Sequence, residues 1–351
     1  ENMGVQADGF GGNDDFGLRI EDCQVRGLTS ATASSRGFAL GAGVTSSNLA
    51  VSGCSITDME TGIYLRLVND TVVDGCTLSD VKSGIIFDSG VTQTHRVTDN
   101  SIVLTDNQSL HGIFVGAGNT QIDITGNYVR SLIAGNHPSE PYGIGFQVGK
   151  GTEYSGLRIA DNTVIAFYDA TNNIGHGIAA FATDTQGTTV TITGNTLSRC
   201  DIYTSRVSDI TVTGNSIDAL GAWSGAAGPA LGGGINLEGV ANATVTGNNI
   251  HCRGTTPNGI ELRRGQHLTV TGNTVLASIQ NGILASASLV GGAGAAQMEH
   301  FTITGNTVDG WLDENSAPTT NGILVGLATV NGAPQNGVID GNNVQKCGAG
   351  I

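Results

Sequence analysis

A short phrase of alternating apolar and polar residues recurs along the chain. It contains β-branched residues at alternate positions, then a small or acidic residue, an Asn or Cys, a polar residue and an aliphatic residue, as in VTITGNTL and LTVTGNTV. Alternation with a period of two predicts a short strand with one buried face. Twelve copies place the Asn or Cys, which we call the Asn column, at Cys23, Cys54, Cys76, Asn100, Asn127, Asn162, Asn195, Asn215, Asn248, Asn273, Asn306 and Asn342.

A second phrase, Gly-Ile-x-aliphatic or close to it, lies between successive copies of the first. Examples are Gly84-Ile85, Gly234-Ile235 and Gly259-Ile260, and the shortest complete unit, from Cys54 to Cys76, has 22 residues. Glycine and Asn mark the bends between these strands, because both tolerate positive φ.

A unit of three short strands cannot bury its apolar face alone, so the units are expected to stack. The strands of successive units then pair in parallel about 4.8 Å apart. The pattern therefore predicts an all-β fold, a parallel β-helix of about twelve coils that forms one domain over residues 1–351. The aliphatic residues that follow the Asn column form an inward file, and the Asn amides stack at a turn. The Cys residues are interpreted as small buried packing residues; the alternative is a disulfide or a metal-binding pair.

These repeats resemble the right-handed parallel β-helix superfamily, which includes pectate-lyase-like lyases, related glycosidases and epimerases, and tailspike body domains of bacteriophages. The resemblance covers essentially the whole chain but is specific for architecture rather than activity. The "DFGAxGDG" opening of many members is absent, and only Asp8-Gly9-Phe10 and Asp14-Asp15 lie near the start. Because neither end carries a recognisable polar cap, the chain is expected to be a segment of a longer protein.

Composition and charge exclude several classes of protein. Lys and Arg total 15 against 30 Asp and Glu, which gives a net charge of −15, and no basic run is present. A nucleic-acid partner would need a concentrated basic face. No stretch approaches 18 apolar residues, so insertion into a membrane is not expected. No CxxC pair or calcium-type carboxylate cluster stands out, and the sequence predicts neither a metal nor a cofactor.

The lengths of the insertions predict a notch along the solenoid. From the Asn column to the next Gly-Ile pair the distance is 8 residues after Cys76, 15 after Asn162 and 19 after Asn215, but the coil between Asn195 and Asn215 spans only 20 residues. Insertions in a solenoid often build its binding face. Aromatic rings beside carboxylates suit sugar recognition, and the alternative is that the aromatic residues only pack their own loops. The predicted substrate-binding residues are Tyr168, His176, Asp201, Tyr203 and Trp223 at the notch, together with Asn236 and Arg263 on neighbouring Gly-Ile strands.

Two carboxylates on neighbouring Gly-Ile strands are the candidate catalytic pair. The residues two and four positions after Gly should point outward together, which places Asn236 and Glu238 beside Glu261 and Arg263. The backbones of Glu238 and Glu261 are then about 8 Å apart, a spacing that suits the acid and base of an inverting glycosidase. The alternative is an ion pair between Glu238 and Arg263 on neighbouring coils. Arg66 and Asp88 would form a similar ion pair between two earlier coils.

A second constellation precedes three consecutive Gly-Ile pairs by one residue. His111, Tyr142 and His176 could supply the base and acid of a lyase that acts on a uronic acid. That chemistry also needs a cation for the sugar carboxylate, and the candidates Lys150 and Arg158 have no position assigned by the repeat.

The leading hypothesis is a β-helix that binds an extended polysaccharide along its side and depolymerises it, with hydrolysis favoured over elimination. Whether the chain is an enzyme at all stays open, because a non-catalytic structural or adhesive shaft would also explain its low charge and polar faces. A uronic-acid lyase or epimerase is the third alternative. The resemblance to tailspikes implies an extracellular or virion-surface location. It also implies that three copies of the chain assemble as a homotrimer.

Overall fold

The computed structural model describes residues 3–7, 17–27, 35–40, 48–66, 68–88, 94–104, 111–116, 121–131, 142–148, 156–165, 176–182, 189–220, 233–253, 258–278, 280–286, 300–310, 319–326 and 336–351. The regular structure in these ranges is β-strand. No helix in them is long and apolar enough to cross a membrane.

The strands are short and follow one another at the rhythm of the repeats. In chain order they are β1 (Met3–Ala7), β2 (Arg19–Glu21), β3 (Gln24–Arg26), β4 (Arg36–Leu40), β5 (Ala50–Ser52), β6 (Ser55–Leu65), β7 (Thr71–Asp74), β8 (Thr77–Phe87), β9 (Thr94–Thr98), β10 (Ser101–Leu104), β11 (His111–Val115), β12 (Gln121–Thr125), β13 (Tyr128–Ser131), β14 (Tyr142–Val148), β15 (Gly156–Ala160), β16 (Thr163–Ile165), β17 (His176–Ala182), β18 (Thr189–Thr193), β19 (Thr196–Ser198), β20 (Ile202–Ser205), β21 (Asp209–Thr213), β22 (Ser216–Leu220), β23 (Gly233–Glu238), β24 (Asn242–Thr246), β25 (Asn249–Arg253), β26 (Asn258–Arg263), β27 (His267–Thr271), β28 (Thr274–Leu276), β29 (Asn281–Ser286), β30 (Phe301–Thr304), β31 (Thr307–Asp309), β32 (Thr319–Gly326), β33 (Val338–Asp340), β34 (Asn343–Gln345) and β35 (Cys347–Ala349).

Parallel pairing of equivalent strands from successive coils builds three faces. Sheet 1 contains the strands that precede the Asn column, in the order β2-β5-β7-β9-β12-β15-β18-β21-β24-β27-β30-β33. The strands that follow the Asn column form a second run, β3-β6-β8-β10-β13-β16-β19-β22-β25-β28-β31-β34. The third run, which we call the Gly-Ile sheet, is β1-β4-β6-β8-β11-β14-β17-β20-β23-β26-β29-β32-β35, and the long strands β6 and β8 belong to both of the last two runs. The predicted all-β parallel β-helix is therefore confirmed.

The predicted inward file of aliphatic residues lies in the core. Each of its members is at most 2% exposed, and the file consists of Ile56, Leu78, Ile102, Val129, Val164, Leu197, Ile217, Ile250 and Val275. The parallel register places residues at equivalent positions beside one another in successive coils, which builds the file. Val164 is paired with Leu197, and Leu197 is paired with Ile217. The core is thus a stack of aliphatic layers.

The Asn column forms a continuous hydrogen-bonded ladder at the turn. The side chain of Asn195 illustrates its pattern, because Nδ2 donates to the carbonyls of Ile159 and Thr193 and to Oδ1 of Asn215 at 2.9–3.1 Å. Its own Oδ1 accepts from the backbone N–H and from Nδ2 of Asn162. Each amide therefore satisfies buried groups of two neighbouring coils, as the sequence predicted.

The cysteines at the start of the Asn column also form hydrogen bonds with buried backbone groups, but these bonds are weaker. The thiols of Cys54 and Cys76 donate to the carbonyls of Ile20 and Val51 at 3.6 and 3.7 Å. Burial raises the pKa of the Cys76 thiol to about 12, so it stays neutral. All six cysteines are free; four of them are buried, as expected of packing residues, whereas Cys23 and Cys347 are only partly buried.

Glycine recurs at two positions of the repeat, before the Asn column and at the start of the Gly-Ile pair. The physical reason for glycine differs between the two positions. The glycine before the Asn column adopts positive φ, for example 67° at Gly194. The glycine of a Gly-Ile pair is needed for close packing, because a Cβ at Gly259 would lie 2.1 Å from Cγ1 of Val275 and 2.7 Å from the carbonyl oxygen of Gly282. The Gly-Ile phrase therefore brings its strand close against the aliphatic file.

Gly282→Ala is expected to destabilise the protein by about 1–3 kcal/mol, the usual cost of overpacking a core. Its Cβ would lie 2.2 Å from Cγ1 of Val308 and 2.6 Å from the carbonyl oxygen of Gly322. Gly156→Ala is the matched control, because nothing lies within 4 Å of a Cβ there. Urea denaturation of both variants measures the difference, and equal midpoints would contradict the packing explanation.

Candidate functional site

The outward side chains of the Gly-Ile sheet hold most of the predicted site residues. They comprise the aromatic residues on β11, β14, β17 and β20 and the polar cluster on β23 and β26. Tyr168 and Trp223 lie outside the described residues, as do the insertions that would form the walls of the predicted notch. The notch therefore stays a prediction.

Five aromatic side chains form a pile along the sheet, which we call the ring stack: Phe114, His111, Tyr142, His176 and Tyr203. Successive ring centroids lie 4.6, 5.1, 6.1 and 4.6 Å apart, with interplanar angles of 6–20°. The faces of the inner rings are therefore occupied by other rings. What the stack presents along its side is ring edges, with their nitrogen and hydroxyl atoms, rather than flat stacking platforms.

His176 and Asp201 form a buried pair inside this stack. Nδ1 of His176 lies 2.9 Å from Oδ1 of Asp201, and the two side chains are 6% and 14% exposed. A carboxylate that accepts from Nδ1–H fixes the orientation of the imidazole ring. The sequence placed both residues in the site but did not predict that they pair.

The polar cluster consists of Asn236, Glu238, Glu261 and Arg263. Asn236 is opposite Glu261 and Glu238 is opposite Arg263 in the parallel register of β23 and β26, as predicted. Asn236 and Glu261 are nevertheless buried, whereas Glu238 is half-buried.

The ion pair in this cluster differs from the one that the sequence suggested. Arg263 donates through Nε to Oε1 of Glu261 on its own strand, and among the described residues no ion pair of Glu238 is found. Residues two apart on a strand share a face, so Arg263 reaches Glu261 without crossing to the next coil. The similar pair on earlier coils does connect two neighbouring coils. Nε of Arg66 lies 3.7 Å from Oδ2 of Asp88.

The carboxyl of Glu261 has an unusual environment. Burial raises its pKa above the ordinary value, and the charge of Glu238 acts in the same direction. The Arg263 guanidinium and the hydrogen bond from Asn258 oppose that shift without cancelling it. Only 1% of Glu261 is exposed, so its proton affinity is set by these neighbours rather than by solvent.

A second amide ladder, which the sequence reasoning missed, ends on Glu261. Nδ2 of Asn321 donates to Oδ1 of Asn281 at 2.8 Å, and Nδ2 of Asn281 donates to Oδ1 of Asn258 at 2.7 Å. Nδ2 of Asn258 then donates to Oε2 of Glu261 at 2.8 Å. The signal was present as Asn-Gly-Ile at 258–260, 281–283 and 321–323, in the position that His111, Tyr142 and His176 occupy on earlier coils.

The ring stack and the polar cluster are adjacent parts of one surface. Tyr203 is opposite Asn236, and Asn236 is opposite Glu261, so the three residues form one column across β20, β23 and β26. Each step along this column is about 4.8 Å. Aromatic and carboxylate groups thus lie within about two coil spacings of each other.

Of the two candidate cations for a uronic acid, Arg158 lies away from this surface. Arg158 lies on sheet 1, where NH1 donates to Oδ1 of Asp123 and to the Thr125 hydroxyl at 2.8 Å, and Lys150 lies outside the described residues. A shallow groove of about 230 Å³ on sheet 1, which includes Arg158 and Gly156 in its lining, is likewise separate from the ring stack. No group of His, Cys, Asp or Glu among the described residues could hold a metal ion.

Comparison with known proteins identifies the architecture. Residues 3–149 match a family model described as a right handed beta helix region. This segment is a right-handed β-helix. The match supports the resemblance to the right-handed parallel β-helix superfamily over this segment, and the predicted all-β parallel β-helix fold is confirmed.

The solved structures and curated proteins add little to the functional assignment. A crystal structure of DFA-IIIase from Arthrobacter chlorophenolicus A6 in complex with GF2 is similar, with a TM-score of 0.41 and 15% sequence identity over 84% of this chain and 67% of that one. Similarity at this level does not bear on activity. No curated protein matches the chain.

Proposed function

We propose that this β-helix binds an extended polysaccharide along its Gly-Ile sheet and hydrolyses it at Glu238 and Glu261. The observation that carries the proposal is the difference between the two carboxyl environments. Glu261 is buried and has a raised pKa, while Glu238 is half-buried and its charge adds to that shift. Two neighbouring carboxyls in different environments are the usual arrangement of an acid and a base in glycoside hydrolysis.

The separation of the two carboxyl residues supports an inverting reaction. Glu238 and Glu261 are one coil and two residues apart in the observed register, which corresponds to about 8 Å between their Cα atoms. Inverting glycosidases keep about 6.5–9.5 Å between their carboxyl groups, which leaves room for the attacking water. In this arrangement Glu261 protonates the leaving oxygen and Glu238 activates the water.

Sugar binding is assigned to the column that joins the two parts of the surface. Tyr203 stacks one ring face on His176, and the Asn236 amide lies between Tyr203 and Glu261. Amides and carboxylates can fix sugar hydroxyls, and the polar edges of the aromatic rings can do the same. A chain that follows the solenoid axis would cross these groups in turn.

The proposal is tested by product analysis with a panel of neutral, acidic and deoxy-sugar polysaccharides. We expect new reducing ends without the ultraviolet absorbance of an unsaturated uronic acid, and inversion at the anomeric carbon in ¹H NMR. Reducing ends accompanied by that absorbance would indicate elimination instead. Binding without any product would favour the adhesive shaft.

The second candidate function is elimination at the ring stack, and the His176–Asp201 pair favours it. A histidine oriented by a carboxylate is a suitable general base, and Tyr142 and His111 lie directly beside it in the stack. Arg158, the described candidate to neutralise a uronate, lies on sheet 1 away from the ring stack, so hydrolysis is the better-supported function.

An extracellular or virion-surface location and a homotrimeric assembly complete the proposal. A polysaccharide long enough to lie along the solenoid is a cell-surface or extracellular material. Analytical ultracentrifugation tests the trimer, and a monomer at micromolar concentration would contradict it.

A further inference from the structure

We propose that Asn258, Asn281 and Asn321 act as positioning residues that hold Oε2 of Glu261 as a hydrogen-bond acceptor and so fix the orientation and the proton affinity of that carboxyl. The positioning can be measured on its own. Its consequence for catalysis rests on the hydrolysis proposed above.

Because the amide ladder ends on a carboxylate, the donor and the acceptor of each of its hydrogen bonds can be assigned. An ionised carboxylate can only accept hydrogen bonds, so Nδ2 of Asn258 must donate to Oε2. Oδ1 of Asn258 is then the acceptor for Asn281, and Oδ1 of Asn281 is the acceptor for Asn321. All three amide dipoles therefore point the same way, and hydrogen bonds aligned in a chain strengthen one another.

The two oxygens of Glu261 therefore have different partners. Oε2 accepts from the neutral amide of Asn258 at the end of the ladder, and Oε1 accepts from the Arg263 guanidinium. The ladder thus fixes the carboxyl through Oε2 and favours its ionised form. In the hydrolysis proposed above, the carboxyl proton passes to the leaving oxygen as the C–O bond breaks, and the water that Glu238 deprotonates bonds to the anomeric carbon.

Among the described residues, two charged groups act on this carboxyl. Arg263 contacts it from the same strand, Glu238 approaches from the preceding coil, and β29 on the other side carries Asn281, Leu284 and Ser286 without an ionisable acid or base. The hydrogen bond from Asn258 favours the ionised form and so lowers the pKa of Glu261 against the larger effect of burial. Loss of the ladder should therefore raise that pKa further.

The test is a carboxyl ¹³C NMR titration of the protein labelled at its nine Glu residues, with the Glu261 signal assigned by its loss in Glu261→Gln. We expect the Glu261 midpoint to shift upward in Asn258→Ala, less in Asn281→Ala and least in Asn321→Ala. Asn242→Ala is the control, because this exposed amide on sheet 1 bonds Asp209 far from the ladder. It should leave the midpoint unchanged.

The variants at Asn281 and Asn321 distinguish a relay, in which the effect passes along the amide ladder to Glu261, from an effect of the Asn258 contact alone. Asn281 does not touch Glu261 in the ladder, so a midpoint shift in a folded Asn281→Ala protein supports the relay, and an unchanged midpoint overturns it. If Asn281→Ala fails to fold, Asn321→Ala at the end of the ladder gives the same decision. Because the titration needs no substrate, it separates failure of this inference from failure of the proposed hydrolysis.

Discussion

Glu261→Gln is expected to lower the rate of glycosidic-bond cleavage by about 10²–10⁴-fold, the usual contribution of a general acid. Gln has nearly the same shape, but only one of its two terminal groups is an acceptor, so it keeps a hydrogen bond from either Asn258 or Arg263 and has no proton to transfer. The raised pKa of Glu261 keeps the wild-type carboxyl protonated to higher pH than an ordinary Glu. The variant should therefore also lose the alkaline limb of the pH profile of kcat/KM.

Glu238→Gln is expected to reduce the rate over a similar range, because the attacking water then lacks its base. Glu21→Gln is the matched control, since Glu21 is exposed on sheet 1. Both active-site variants should bind the polysaccharide with little change in Kd, as measured by isothermal calorimetry. Wild-type cleavage rates in either variant would remove that residue from the proposed reaction.

The features that repeat in every coil could be predicted from the sequence. The Asn column, the aliphatic file after it and the Gly-Ile strands each recur at fixed offsets, and stacking coils in parallel brings equivalent offsets together. For this reason the pairing of Glu238 with Arg263 in register, and of Asn236 with Glu261, followed from counting alone.

The side-chain contacts that break the repeat could not be predicted in the same way. Arg263 could reach a carboxylate on its own strand or on the neighbouring one, and the choice depends on rotamers and burial rather than on register. His176 finds Asp201 only because Asp201 occupies the glycine position of its coil. The Asn258–Asn281–Asn321 ladder was visible as Asn-Gly-Ile, but amides at strand starts are common and their link to Glu261 needs coordinates.

The largest effect on stability is expected from the Asn column, at Asn195→Leu. Leu has a similar shape but would leave the buried N–H of Asn162 without its acceptor and would remove the Nδ2 donor to the carbonyl of Ile159. An unsatisfied buried polar group costs about 1–3 kcal/mol, so these two should cost about 2 kcal/mol or more. The protein's own cysteines suggest a partial rescue.

Asn195→Cys should cost clearly less than Asn195→Leu, because a thiol can both donate and accept at this turn. Cys76 donates to the carbonyl of Val51 and contacts the backbone N–H of Cys54, which are the same two directions that the Asn amides use. Asn242→Leu, at an exposed amide on sheet 1, is the control and should be nearly neutral. Urea denaturation should rank the unfolding free energies as wild type and Asn242→Leu, then Asn195→Cys, then Asn195→Leu. Equal losses for Cys and Leu would mean that the shape of the side chain at the turn, rather than its hydrogen bonds, stabilises the stack.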